Sequence, residues 1–156
     1  MLWITSKSSE VWFLPSSTNS VDHRIQLLTV FVVGHTDCGG VIASVDATKR
    51  PDGGIINGQI VAVEGFPAGA PINRWLEPLT RVAISLKLSG ITTNNTAVSV
   101  LTQENVVRQC ERLCETEVMM KAWQAGQKIT VYGRIFDVAR EEFQDWIYRR
   151  DPPAAQ

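Results

Sequence analysis

Residues 30–41, VFVVGHTDCGGV, constrain the fold of this chain more than any other stretch. Val30, Phe31, Val32 and Val33 are apolar without alternation, which predicts a strand buried on both faces. Gly34 permits a sharp turn at the strand end. His35 and Cys38 then share that turn, and Gly39 and Gly40 stand where a helix would begin. Strand ends that feed helix N-termini are where α/β proteins place their chemistry. A thiol at a helix N-terminus is biased toward the thiolate, the form that binds metal or attacks carbon. His-x-x-Cys on one tight turn can aim two donors at one ion. Two donors are only part of a zinc site, which takes four ligands, or three and a water.

The 156 residues are enough for one domain with a real core, and 44% hydrophobic and 20% charged residues suit a globular protein. A net charge of −1 leaves no basic footprint for nucleic acid. No apolar run is long enough to span a bilayer. The three cysteines make no disulfide framework, and the expected compartment is reducing, hence cytoplasmic. Residues 1–20 lack the basic start and long apolar stretch of a signal peptide. They read as a poorly ordered arm, with a short strand possible at 11–14.

Residues 21–148 read as a single α/β domain. Val21, Ile25, Leu27 and Leu28 have helical spacing, with Asn19 or Ser20 as cap, leading into the 30–33 strand. Asp22, His23 and Arg24 read as a solvated helix face. A helix is predicted to continue through 41–45. Residues 51–71 are rich in Gly and Pro and read as a loop insertion, poorly ordered or serving as a lid. Trp75, Leu76, Leu79, Val82, Ala83 and Leu86 mark an amphipathic helix over 74–88, with Pro78 near its first turn. A long helix is expected over about 97–122. On it Cys110 and Cys114 could chelate at i, i+4, but they read as small core residues. Gly126 caps that region. A strand follows at 129–138, with Tyr132 and Phe136 on one side, then a terminal helix at 141–148 and a frayed tail at 149–156.

Four motifs, in order, resemble the β-class carbonic anhydrases. GHTDCGG after a buried strand is similar to that family's second zinc-ligand motif. Asn73-Arg74-Trp75-Leu76 resembles the helix that follows. Glu104-Asn105-Val106-Val107-Arg108-Gln109 resembles its Asn-Val-x-x-Gln helix. ITVYGRIFDV at 129–138 resembles its final core strand. The resemblance covers about residues 21–146. It implies a parallel β-sheet flanked by helices, and it implies zinc held by two Cys and one His, with water, hydroxide or an Asp in fourth place. The zinc-bound hydroxide of such enzymes attacks carbon dioxide to give bicarbonate. By position, His35 and Cys38 would be two of the three protein ligands. The family also implies a homo-oligomer.

The family's first ligand lies in a Cys-x-Asp-x-Arg motif, and no cysteine precedes Cys38 in this sequence. Ser20-Val21-Asp22-His23-Arg24 copies the pattern with Ser for Cys. Ten residues separate Arg24 from His35, fewer than the dozen or so a parallel crossover needs. The expectation is therefore an N-terminally incomplete version of the fold, with one sheet edge open to self-association. Two readings follow. One is a zinc-dependent carbonate dehydratase, with Asp37 a candidate extra ligand and a third donor from a symmetry partner or water. Its activity should be low, because affinity falls with each lost thiolate. The other is a catalytically inactive relative acting as a binding or subunit module. Nucleotide binding lacks its glycine motif. A Cys38 nucleophile with His35 as base would be an unusual dyad, since such partners come from distant segments.

Overall fold

A computed structural model describes residues 29–153. The expected arm at 1–20, the cap and helix at 19–28 and the Ser20–Arg24 motif lie outside the described residues.

Strand β1 (Thr29–His35) pairs in parallel with β4 (Thr130–Asp137), from Thr29 opposite Thr130 to His35 opposite Phe136. The other edge of β4 carries two short antiparallel strands, β5 (Glu142–Phe143) and β6 (Tyr148–Arg150). The sheet is thus mixed, with a parallel centre, as the α/β reading requires. Between β1 and β4 run α1 (Gly39–Lys49), a small hairpin of β2 (Ile55–Ile56) and β3 (Gln59–Ile60), α2 (Pro71–Ser85), a 3-10 turn at Leu88–Gly90, α3 (Asn94–Cys114) and α4 (Glu117–Gln124). The long helix expected over 97–122 is two helices. Thr116 caps the second, its hydroxyl accepting from the Met119 amide at 3.3 Å.

Two cores meet along α3. One gathers Cys38, Val41, Val45, Leu76, Leu79, Ala83, Ala97 and Leu101 among α1, α2 and the start of α3. The other sets Val106, Cys110 and Cys114 of α3 against Val30, Val131 and Ile135 of the sheet. The α2 stripe read from sequence is the buried one, at Leu76, Leu79 and Ala83. Pro78 lies inside this helix and not in its first turn, because α2 begins at Pro71.

Alternation decides what β1 buries. Val30, Val32 and Gly34 turn toward α3, while Phe31 is 48% exposed. The strand is therefore buried on one face, not two: among the described residues α3 is the helix packed on β1 and β4. The 141–148 segment is not a helix. Glu141 takes a left-handed φ of 56° and the chain turns back to lay β5 and β6 on β4. Arg149 and Arg150, expected in the frayed tail, belong to β6.

The 51–71 segment is built, not structureless. Asp52 accepts from the Gly54 amide at 2.7 Å, and the Arg50 guanidinium donates to the carbonyls of Ala62 and Val61. Asn73 is wholly buried. Its side-chain oxygen accepts from the Val63 amide at 2.7 Å, and its amide nitrogen donates to the carbonyls of Val63, Phe66 and Pro67 at 3.1–3.2 Å. One side chain thus stands in for the backbone partners this loop cannot find in regular structure.

Candidate metal centre

The His-x-x-Cys turn is fixed at both ends. At the sheet end, the Thr36 amide donates to the Phe136 carbonyl at 3.0 Å, and Thr36 Oγ1 accepts from the Val138 amide at 3.0 Å. The Asp137 carboxylate accepts from the amides of Ala139 and Arg140, both at 3.1 Å, closing the turn beyond β4. Asp37 then takes a left-handed φ of 56°, which reverses the chain between strand and helix. At the helix end, Cys38 is the N-cap of α1, with φ −70° and ψ 114°, and its carbonyl accepts the first helical bond from the Ile42 amide at 2.9 Å.

The two glycines after Cys38 differ in function. A Cβ on Gly40 would stand 3.0 Å from Leu76 Cδ2 and 3.4 Å from Trp75 Cζ3, so α1 and α2 approach too closely for a side chain there. Gly39 faces open space. The bare start of α1 is thus partly a packing requirement.

His35 Nδ1 lies 2.7 Å from the Thr36 carbonyl oxygen. A carbonyl only accepts, so in the neutral ring Nδ1 carries the proton and Nε2 keeps its lone pair. That is the tautomer a metal-binding imidazole adopts, with a backbone carbonyl orienting the ring. Cys38 is 3% exposed and packs in the first core. Asp37 is exposed. Among the described residues no group of three or more His, Cys, Asp and Glu could hold a metal ion, so Asp37 does not complete a set with the pair. Two donors do not hold zinc on their own, and residues 29–153 do not complete a zinc centre.

Cys110 and Cys114 lie in the second core, apart from Cys38, and all three thiols are free. Burial, then the neighbouring Cys114 and Glu111, push the Cys110 thiol up to about 12. Burial also raises Cys114, whose sulfur is 4.0 Å from the Tyr148 hydroxyl. Both are core residues, as their helical spacing indicates, and neither is a ready thiolate.

Beside the turn opens a cavity of about 300 Å³ with mixed lining, Thr36, Asp37, Asn95, Ser99, Thr102 and Asp137 among its polar residues. Asn95, Ser99 and Thr102 are spaced i, i+4, i+7 on α3, a polar stripe aimed at a strand end. That spacing is the sequence signal for the stripe, and it shares the helix with the stronger apolar pattern of the core face. No helix of the described residues is long and apolar enough to cross a membrane.

The carbonic anhydrase family profile matches residues 20–143. Among solved structures, the chain is similar to a Coccomyxa β-carbonic anhydrase in complex with acetazolamide, at 22% identity and a TM-score of 0.59, covering 80% of this chain and 49% of that one. It is similar to one of two tetrameric β-carbonic anhydrases from the ascomycete Sordaria macrospora, at 19% identity and 0.59, covering 81% and 55%. It also matches the β-carbonic anhydrase CafA of Aspergillus fumigatus, at 25% identity and 0.53, covering 85% and 51%. The chain spans about half the length of these solved relatives.

Proposed function

The chain belongs to the carbonic anhydrase family, and we propose that it serves that family's chemistry, the reversible hydration of carbon dioxide to bicarbonate, with His35 and Cys38 as its donors to a zinc ion. The observation that carries this reading is the turn itself. His35 leaves β1 with Nδ1 tied to the Thr36 carbonyl, so Nε2 is free to bind, and Cys38 caps α1 three residues later.

The described residues supply two donors and a zinc lyase needs three from protein. The third has to come from outside residues 29–153 or from a second copy of the chain. Self-association fits this requirement, and the tetrameric Sordaria relatives support it.

Zinc content of the purified full chain, measured with carbon dioxide hydration, tests the proposal. The expected result is about one zinc per chain, lost in both Cys38→Ser and His35→Ala, with hydration lost alongside. Folded protein that takes up no zinc and hydrates no carbon dioxide would sink the enzyme reading in favour of a catalytically inactive binding or subunit module. Zinc retained in Cys38→Ser would remove that residue from the donor set.

A further inference from the structure

The sheet face turned away from α3 is an aromatic surface. Phe31 and Tyr132 stack at 5.7 Å between ring centroids, Phe31 and Trp146 at 5.9 Å, and Tyr132 lies 4.6 Å from Trp146. Phe136 and Phe143 meet edge to face at 5.2 Å. The Arg134 guanidinium sits 4.2 Å over Trp146 and 4.9 Å over Phe143. Phe31, Phe143 and Trp146 are each about half exposed. Contiguous apolar surface of this kind on a folded chain marks a contact face.

Three observations identify the occupant. β1 begins at Thr29, two residues before Phe31, so the 28 residues that precede it in sequence join the fold next to this face. Those residues carry Trp3, Val11, Trp12, Phe13 and Leu14, a concentration of large apolar side chains with no counterpart in the family resemblance. Residues 15–28 give fourteen residues of connection, which with the expected helix over 21–28 reach roughly 30 Å, still longer than the seven-residue β1. Charge agrees as well. Among the described residues Arg134 has rings and the carbonyls of Phe143 and Gln144 as partners but no carboxylate. Glu10, the one acid in residues 1–21, immediately precedes Val11.

We propose that residues 10–14 of the same chain dock on this face, Trp12 and Phe13 covering Phe31, Tyr132 and Trp146, with Glu10 meeting Arg134. The arm then replaces, for this chain, a covering layer that the sheet needs on its second side. The proposal does not depend on the zinc reading.

The test places the photoreactive residue p-benzoylphenylalanine at position 12 of the full chain, in a mixture of isotope-labelled and unlabelled protein. Expected cross-links join position 12 to peptides containing Phe31, Tyr132 or Trp146, and each joins segments of one isotopic type. Cross-links of mixed type would show a second copy on the face and overturn the assignment, as would the absence of cross-links to these peptides. In parallel, Trp12→Ser with Phe13→Ser should raise binding of an apolar fluorescent dye about threefold or more at unchanged far-ultraviolet circular dichroism. Equal dye binding in the two proteins would also overturn it. Should that variant not fold, amide exchange on the unmodified chain decides: residues 10–14 protected supports docking, and residues 10–14 exchanging freely refutes it.

Discussion

A Cβ placed on Gly34 would lie 2.6 Å from Cγ2 of Val106. This contact seats β1 on α3 one residue before His35. Gly34 lies within the β1 ladder and the chain reverses at Asp37 instead, so Gly34 does not make the expected turn; its role is close packing against a residue 72 positions away in sequence.

Gly34→Ala should destabilise the chain by about 1–3 kcal/mol through overpacking. Urea unfolding checks this. Val106→Ala alone removes two buried methyl groups and should cost a similar amount. The double variant should cost less than the sum of the two, because the smaller residue at 106 makes room for the new Cβ. Strict additivity would show that the contact does not govern the cost.

Asn73→Ala should cost about 1–3 kcal/mol, since it strands the Val63 amide and several carbonyls in a buried setting. The loss should be local first. Limited proteolysis is expected to cut within residues 64–69 of the variant while β1 and β4 keep their protected amides. Cleavage no faster than in the unmodified chain would place the loop's anchor elsewhere, with Arg50 the next candidate.

The contrast between these two residues shows what the sequence carries. His35 and Cys38 are legible because a buried strand, a glycine and two donors are contiguous, whereas Gly34 reads as a turn residue because its close neighbour Val106 is distant in sequence. The apolar faces of α2 and α3 are legible because periodicity is local. The anchoring role of Asn73 gives no sequence signal, because its partners lie 6–10 residues back in a loop without periodicity. The 141–148 segment fails for a related reason. Phe143, Trp146 and Ile147 have helical spacing, yet pairing with β4 across the sheet wins over local pattern. The exposed side of β1 is hidden too, since an apolar run does not say which face has a covering layer. At the site, the donors His35 and Cys38 are readable, and so is the helical spacing of Asn95, Ser99 and Thr102, whereas the place of that stripe beside the end of β4 emerges only from the fold.

Cys110 gives the chain an alkaline weakness. Its thiol stands at about 12 in the folded state against an ordinary 9.0, mainly through burial. Below pH 9 both states hold the proton and stability is unaffected. Between pH 9 and about 12 the unfolded thiol ionises and the folded one does not, so stability falls, by up to ~1.4 kcal/mol per pH unit. Cys110→Ala should flatten that fall, leaving the smaller share from Cys114 and Tyr148, both also raised by burial. The comparison is of slopes from denaturant titrations between pH 8 and pH 11, roughly the window opened by the shift. An unchanged slope in the variant would mean that the folded thiol ionises near its ordinary value.

His35 supplies the most direct view of the metal reading, because its ring state is fixed before any metal arrives. With Nδ1 donating to the Thr36 carbonyl at 2.7 Å, the neutral ring should be the Nδ1–H tautomer. Nitrogen-15 resonances of the two ring atoms distinguish the tautomers, and Nε2 should show the shift of a bare nitrogen. Added zinc should move Nε2 and leave the Nδ1 proton in place. Thr36→Pro would disturb the turn by removing the amide that donates to Phe136, so the informative variant is Thr36→Val. It keeps the backbone carbonyl that orients the ring and deletes only the hydroxyl that accepts from Val138. That variant should lose about 0.5–1.5 kcal/mol of stability, one ordinary hydrogen bond, with the His35 tautomer unchanged. An Nε2–H tautomer in the unmodified protein would leave His35 without a free donor atom facing away from the backbone, and the zinc assignment at this turn would fall with it.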